Sequence, residues 1–139
     1  MNKEHLIKEL INRAKKSAEN AYCPYSGFRV GAAILTSTGK IFTGCNVEFS
    51  DYLALHAELN AIGSAVTQGE RIFDILCVFS YSDPPVKPCG SCRQKIAEFT
   101  QIGKNDIMII AVNNKGHIEK TWISDLLPES SIPVKKKEE

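Results

Sequence analysis

The chain has 139 residues, of which 43% are hydrophobic and 24% charged, with a formal net charge of +1 at pH 7. This balance fits a single globular domain over 1–139, and the near-neutral charge gives no attraction to nucleic acid or to an anionic membrane. No apolar run approaches the roughly 20 residues of a membrane span and no signal-peptide core follows Met1, so we expect a cytoplasmic protein without a membrane partner.

Apolar periodicity and turn residues predict nine elements along the chain. They are an amphipathic helix over 3–20, strands over 28–36 and 40–47, a helix over 56–68, a strand over 73–80, a helix over 90–100, strands over 107–112 and 117–121, and a short helix over 122–127. The glycine-containing connections at 37–39 and 113–116 predict hairpins. We expect the last residues, 134–139, to form a solvated charged tail.

The order of these elements predicts the architecture. The strand over 73–80 is almost wholly apolar, which is typical of a strand covered on both faces of a sheet. Helices that alternate with strands favour a three-layer α/β/α fold, here around a five-stranded sheet.

The chain has five cysteines, an odd number, and we expect it to be cytosolic, where disulfides are rare. Small-hydrophobe packing is the expected role of the three isolated ones, Cys23, Cys45 and Cys77. Cys89 and Cys92 are spaced as metal ligands, and they open a predicted helix. Cysteines at a helix start lie in the positive end of the helix dipole, which favours thiolates.

His56, Ala57 and Glu58 open another predicted helix. Catalytic zinc sites use three protein ligands and leave the fourth position to water, and His56, Cys89 and Cys92 supply that number. Glu58 is not needed as a ligand. It can instead take a proton from the water and deliver it elsewhere, as hydrolytic removal of an amine from an aromatic ring requires.

The same residue types also fit roles other than a catalytic zinc site. The C-x-x-C pair could arise by chance or serve a redox role. A closed structural zinc site would need a fourth ligand, for which Cys45 or Cys77 is available. A Cys–His nucleophile would not need two cysteines at ligand spacing.

The chain resembles the cytidine deaminase family over nearly its whole length, and H-x-E…P-C-x-x-C is the signature of zinc-dependent deaminases. The matching segments are C-P-Y-S at 23–26, F-R-V-G-A-A at 28–33, T-G-C-N-V-E at 43–48, H-A-E at 56–58, P-C-G-S-C-R-Q at 88–94 and L-L-P at 126–128. The resemblance implies a five-stranded mixed sheet in an α/β/α fold, with one Zn²⁺ per chain between two helix starts. It also implies deamination of free cytidine or 2′-deoxycytidine in pyrimidine salvage, by a homotetramer or a dimer.

The same resemblance implies substrate contacts. Asn46 and Glu48 resemble a ribose clamp, since an amide and a carboxylate two residues apart can both bond a sugar hydroxyl. The pair could also simply end a strand and begin a turn, but its context favours the clamp. Phe28 resembles an aromatic residue that flanks the pyrimidine, although it could be core, and Ala57 is a further expected substrate contact.

Departures from the family pattern at three positions bear on the site. Many small family members have cysteine at the His56 position and an arginine where Leu59 stands. Two thiolates and a neutral imidazole balance the zinc charge without that arginine, so the two changes are consistent. A base-stacking phenylalanine is replaced by Ser131, and Phe49 or Tyr52 could take its place.

Two alternatives to cytidine stay open, the first motivated by Ser131 and by a loop between Glu48 and His56 that is shorter than usual in the family. One is a nucleoside antibiotic of the blasticidin S type, or another modified cytosine nucleoside. The other, of a different class, is an inactive zinc-stabilised binding module. Deoxycytidylate is disfavoured, because no basic cluster accompanies the motifs.

Overall fold

The computed structural model describes residues 2–130, so Ser131 and the charged tail lie outside the described residues. In chain order the elements are α1 (Lys3–Ala18), β1 (Val30–Thr36), β2 (Ile41–Cys45), β3 (Val47–Glu48), β4 (Ala54–Leu55), α2 (Ala57–Thr67), β5 (Phe73–Ser80), α3 (Gly90–Gly103), β6 (Met108–Asn113), β7 (Ile118–Trp122) and α4 (Ile123–Leu126). Within this part of the chain, no helix combines the length and apolarity needed to span a membrane.

Five strands form the main sheet in the order β2-β1-β5-β6-β7. β5 and β6 run parallel, and the other neighbouring pairs run antiparallel, so the sheet is mixed as expected. Parallel neighbours need a crossover connection, and α3 supplies it. Both predicted hairpins, β1–β2 and β6–β7, are confirmed.

Helices cover both faces of this sheet, which confirms the three-layer architecture. On β1, Ala33 and Leu35 face a core cluster shared with α1, whereas Ala32 and Ile34 face a cluster shared with α2 and α3. This alternation follows from the two-residue period of a strand.

Two close approaches between helix and sheet depend on glycine. A Cβ atom at Gly31 would lie 1.9 Å from the carbonyl oxygen of Ala14 in α1. A Cβ atom at Gly44 would lie 2.6 Å from the carbonyl oxygen of Ala57 and 2.4 Å from the amide nitrogen of Ala61. The missing side chain at Gly44 therefore lets the first turns of α2 pack directly against β2.

The structure differs most from the predicted elements at three places. The strand predicted over 40–47 is divided at Asn46, and β3 pairs with β4 in a small ribbon where a loop was predicted. The strand predicted from Phe28 begins at Val30, because the Asn46 side chain bonds the backbone at both positions. The third major helix, predicted to end at residue 100, continues to Gly103 and stops at Lys104 in the left-handed conformation.

Candidate active site

The expected metal ligands lie at the starts of two helices. His56 is the N-cap of α2, Cys89 is the N-cap of α3, and Cys92 lies in the first turn of α3. Ser, Thr, Asp and Asn are the usual N-cap residues, because their side chains bond the free amides of the first turn. Neither His56 nor Cys89 makes such a bond, so their side chains are available to another partner.

These three side chains converge on one point. The Nδ1 atom of His56 lies 3.2 Å from the Sγ atom of Cys92 and 3.5 Å from the Sγ atom of Cys89, and the ligand atoms are all within 4.8 Å of one another. Tetrahedral zinc with bonds of about 2.0–2.1 Å to nitrogen and about 2.3 Å to sulfur would set its ligand atoms about 3.6–3.8 Å apart. The donor set and its spacing therefore fit zinc.

Within the described part of the chain, the ligand group has three protein members and no fourth. Among residues 2–130 its members are His56, Cys89 and Cys92, and it includes neither Cys45 nor Cys77. Cys77 lies in the core cluster on the α1 side of the sheet, whereas Cys92 lies in the cluster on the opposite side. Three ligands without a fourth are typical of a catalytic rather than a structural zinc site.

Glu58 lies in the first turn of α2, beside the ligand group, and the residue is only 5% exposed. Burial raises the pKa of its carboxyl group, while its own backbone amide and His56 act in the opposite direction. A carboxyl group with a raised pKa holds a proton closer to neutral pH, which suits a group that accepts and returns protons.

The thiol of Cys92 responds to the same surroundings. Burial raises its pKa, and the carboxylate of Glu58 and the side chain of Cys89 add to this effect. A bound divalent cation reverses the balance, because a coordinating thiol loses its proton outright. Metal binding at this site is therefore coupled to proton release.

A cleft of about 360 Å³ opens beside these residues. Small-molecule sites typically occupy about 300–1,000 Å³. The cleft is lined by Ser26, Phe28, Val30, Asn46, Glu48, Ala54, His56, Ala57, Glu58, Val78, Val86, Lys87 and Cys89. Seven of these thirteen were expected from the sequence, whereas Ser26, Val30, Ala54, Val78, Val86 and Lys87 were not. Ser26 stands in the C-P-Y-S segment and Lys87 directly precedes Pro88, so sequence position offered a signal for both.

The Asn46 side chain makes two hydrogen bonds to the backbone of its own chain. Its Nδ2 atom donates to the carbonyl oxygen of Phe28 at 2.7 Å, and its Oδ1 atom accepts from the amide of Val30 at 3.0 Å. One amide hydrogen remains, since an asparagine side chain has two. Asn46 thus fixes the entry into β1 while lining the cleft.

Glu48 is similarly engaged. Its Oε1 atom accepts from the amides of Tyr25 and Ser26 at 3.1 and 3.0 Å, and its Oε2 atom accepts from the Ser26 hydroxyl at 2.5 Å. These bonds, led by that of the Ser26 hydroxyl, hold the pKa of the Glu48 carboxyl below its usual value. An ionised carboxylate has about four lone-pair sites, so capacity for a ligand remains.

The aromatic residues named from the sequence take different positions. Phe28 lines the cleft with 43% of its surface exposed. Tyr52 is 92% exposed and Phe49 is also exposed, and both lie outside the cleft lining within one chain. The left-handed backbone of Tyr52, with φ of 68°, places it at the turn of the β3–β4 ribbon.

Residues 81–88, which precede the two cysteines, are held by contacts from outside the cleft. The Nζ atom of Lys87 lies 2.5 Å from Oε1 of Glu119, and Asp83 pairs with Lys115 and His117. At the other end, Nε of Arg93 donates to the carbonyl oxygen of Pro88 at 2.7 Å. The β6–β7 hairpin and the start of α3 therefore position the segment that carries Cys89.

Comparison with known proteins agrees with this geometry. A family model described as the cytidine and deoxycytidylate deaminase zinc-binding region matches residues 4–109. A cytidine deaminase from Sporosarcina psychrophila is 45% identical over 88% of each chain. A crystal structure of cytidine deaminase from Burkholderia pseudomallei has a TM-score of 0.82 at 39% identity, covering 94% of this chain and 99% of that one.

A further relative is a blasticidin-S deaminase from Bacillus cereus, 36% identical over 71% of this chain and 74% of its own length. The matches confirm the resemblance seen in the motifs and the expectation of a zinc-dependent deaminating enzyme. The similar proteins are named for different substrates, cytidine in one case and blasticidin S in another.

Proposed function

The chain belongs to the family of cytidine and deoxycytidylate deaminases, and from this premise we propose that it hydrolyses free cytidine and 2′-deoxycytidine to uridine or 2′-deoxyuridine and ammonia. The observation that carries the proposal is the convergence of His56, Cys89 and Cys92 beside the buried Glu58, at a cleft of nucleoside size.

The reaction exchanges one group on the pyrimidine ring. A C4–O bond forms, the C4–N4 bond breaks, and one water is consumed for each ammonia released. His56, Cys89 and Cys92 would hold Zn²⁺, and the bound ion would supply a water that is nucleophilic at neutral pH. The remaining chemistry is proton transfer, for which the chain offers Glu58.

Glu58 carries protons in two stages. Its carboxylate takes a proton from the attacking water and delivers it to ring nitrogen N3, which makes C4 more electrophilic. It then moves the proton of the new C4 hydroxyl to the exocyclic amine, which leaves as ammonia. The burial that raises the pKa of Glu58 supports both stages, because the group must release each proton as readily as it accepts it.

Asn46 and Glu48 are proposed to bind the sugar. Each lines the cleft and retains hydrogen-bonding capacity after its contacts within the chain. Phe28 and Ala57 are proposed to contact the base. This arrangement favours a nucleoside that carries a ribose or deoxyribose.

We further propose a homotetramer, with a dimer as the alternative. Phe49, Tyr52, Leu53 and Leu55 expose large apolar surfaces around the β3–β4 ribbon, and such patches typically mark interfaces. A neighbouring subunit would cover them, and Phe49 or Tyr52 would then reach the base bound in that subunit.

Sedimentation velocity at micromolar concentration distinguishes a tetramer, a dimer and a monomer. The same proposal includes a cytoplasmic role in pyrimidine salvage, tested by cell fractionation.

A second candidate substrate is an antibiotic of the blasticidin S type. The relative from Bacillus cereus favours it. The Asn46 and Glu48 pair weighs against it, because both side chains line the cleft and are proposed here to bind a ribose or deoxyribose.

A substrate panel on purified protein of measured zinc content tests these choices. Ultraviolet absorbance and ammonia release are followed with cytidine, 2′-deoxycytidine, deoxycytidine 5′-monophosphate and blasticidin S. We expect turnover of the first two, with the others at least about a hundredfold slower in kcat/KM. Turnover of blasticidin S alone would show that the substrate is the antibiotic and not cytidine or 2′-deoxycytidine. Zinc-loaded protein that acts on none would fit a binding module.

A further inference from the structure

Residues 23–28 form part of the cleft wall through a tight turn. The amide of Gly27 donates to the carbonyl oxygen of Cys23 at 2.9 Å, and Gly27 has a φ of 69°, which glycine adopts without strain. The turn directs Ser26 toward Glu48 and leaves Phe28 on the rim of the cleft.

The Ser26 hydroxyl joins two groups that face the cleft. It donates to Oε2 of Glu48 at 2.5 Å and accepts from the amide of Phe28 at 3.0 Å. A hydroxyl group has one hydrogen, and here it is committed to the carboxylate. The direction of both bonds is therefore fixed.

We infer that Ser26 is a positioning residue for the substrate sugar: its hydroxyl holds the Glu48 carboxylate in the orientation that leaves a lone pair facing the cleft. This inference rests on the proposed function, in which Glu48 accepts a hydrogen bond from a sugar hydroxyl. Hydrogen bonds to a charged acceptor are stronger than neutral ones, so Ser26 is a strong restraint on the carboxylate.

The turn itself does not depend on the Ser26 side chain. The amides of Tyr25 and Ser26 bond Oε1 of Glu48, and the Gly27 amide bonds Cys23, whatever side chain stands at position 26. Replacing Ser26 by alanine therefore frees Oε2 but leaves Oε1 anchored. Ser26→Ala should fold, bind zinc and rotate only the carboxylate.

The test compares wild type, Ser26→Ala and Ser26→Thr, with Ser37→Ala as a matched control at an exposed position in the β1–β2 turn. For cytidine, Ser26→Ala should raise KM about tenfold and change kcat less than twofold. Ser26→Thr, which retains the hydroxyl, should restore KM to within about threefold. Circular dichroism and zinc content check that each variant is folded and loaded.

A substrate without sugar hydroxyls at C2′ and C3′ separates positioning from a merely structural role. With 2′,3′-dideoxycytidine, wild type and Ser26→Ala should have KM values within twofold, because the contact that Ser26 serves is absent. In a Glu48→Ala background, which lacks the carboxylate, Ser26→Ala should likewise add less than twofold for cytidine.

Equal KM increases for cytidine and the dideoxy substrate would overturn the inference, as would a full tenfold effect in the Glu48→Ala background. Both results leave cytidine turnover by wild type intact, so they are distinct from failure of the proposed function. If wild type neither turns over cytidine nor binds uridine by calorimetry, the proposed function fails and the inference fails with it.

Discussion

The Nδ1 atom of His56 lies 3.2 Å from the Sγ atom of Cys92, although 36 positions separate the two residues. The contact exists because α2 and α3 both begin at the same side of the sheet and both pack on the same core cluster. The two helix starts together form a site that neither could form alone.

Replacing one of the three ligands should abolish zinc binding, because the ligand group contains no further residue among residues 2–130 that could take its place. We expect Cys89→Ser to bind less than a tenth of the zinc of wild type and to unfold at a lower temperature, because metal binding stabilises the folded state that binds it. Cys45→Ala is the matched control, since Cys45 lies outside the ligand group. Metal analysis after desalting provides the measurement. Zinc loss in Cys45→Ala would indicate a fourth ligand and a closed structural site.

Gly44 should be intolerant of any side chain. Gly44→Ala places a Cβ atom 2.4 Å from the backbone of Ala61, so α2 must shift away from β2, at a cost of about 2 kcal/mol or more in the free energy of unfolding. Because α2 carries His56 and Glu58, activity should fall as well.

Gly63→Ala is the control on α2, because its Cβ atom would meet nothing within 4 Å. Alanine favours a helix over glycine by about 0.5–1 kcal/mol, so this variant should be as stable as wild type or more so. Urea unfolding at equilibrium measures both variants. Equal stability of Gly44→Ala and wild type would show that α2 is not held against β2 as described.

Asp83 should contribute a pH-dependent part of the stability. Hydrogen bonds from His117 and Lys115 hold the pKa of its carboxyl below the usual 3.8. Because the carboxyl pKa is lower in the folded than in the unfolded protein, the ionised carboxylate stabilises the fold at pH values above the unfolded pKa. This stabilisation is lost as the pH falls through the folded pKa. Wild type should therefore have a higher Tm than Asp83→Asn at pH 6, and the difference should vanish toward pH 3. Thermal unfolding across this range provides the measurement, and a difference that widened on acidification would contradict the assignment.

Much of the site could be predicted from the sequence because residue type and spacing restrict zinc chemistry closely. His56, Cys89 and Cys92 were identifiable as metal-ligand types, with Glu58 as a proton carrier beside them. The almost wholly apolar strand over 73–80 and the alternation of helices with strands predicted the layers of the fold. These features depend on local patterns that survive folding unchanged.

The remaining features depend on contacts between distant segments. The division of the second strand at Asn46 follows from bonds to Phe28 and Val30, which no local pattern records. The β3–β4 ribbon has strands of two residues, too short for periodicity to reveal. The contacts of Ser26 with Glu48 and of Lys87 with Glu119 join segments 22 and 32 positions apart, so the sequence could not show them.

The central claim is that Glu58 moves protons for a zinc-dependent deamination, and the most direct test is the rate of cytidine absorbance loss in zinc-loaded wild type and Glu58→Gln. General acid–base groups contribute about 10²–10⁴-fold, so Glu58→Gln should lose at least about a hundredfold in kcat while it binds one zinc per chain. Turnover in Glu58→Gln within tenfold of wild type, at equal zinc content, would contradict the account.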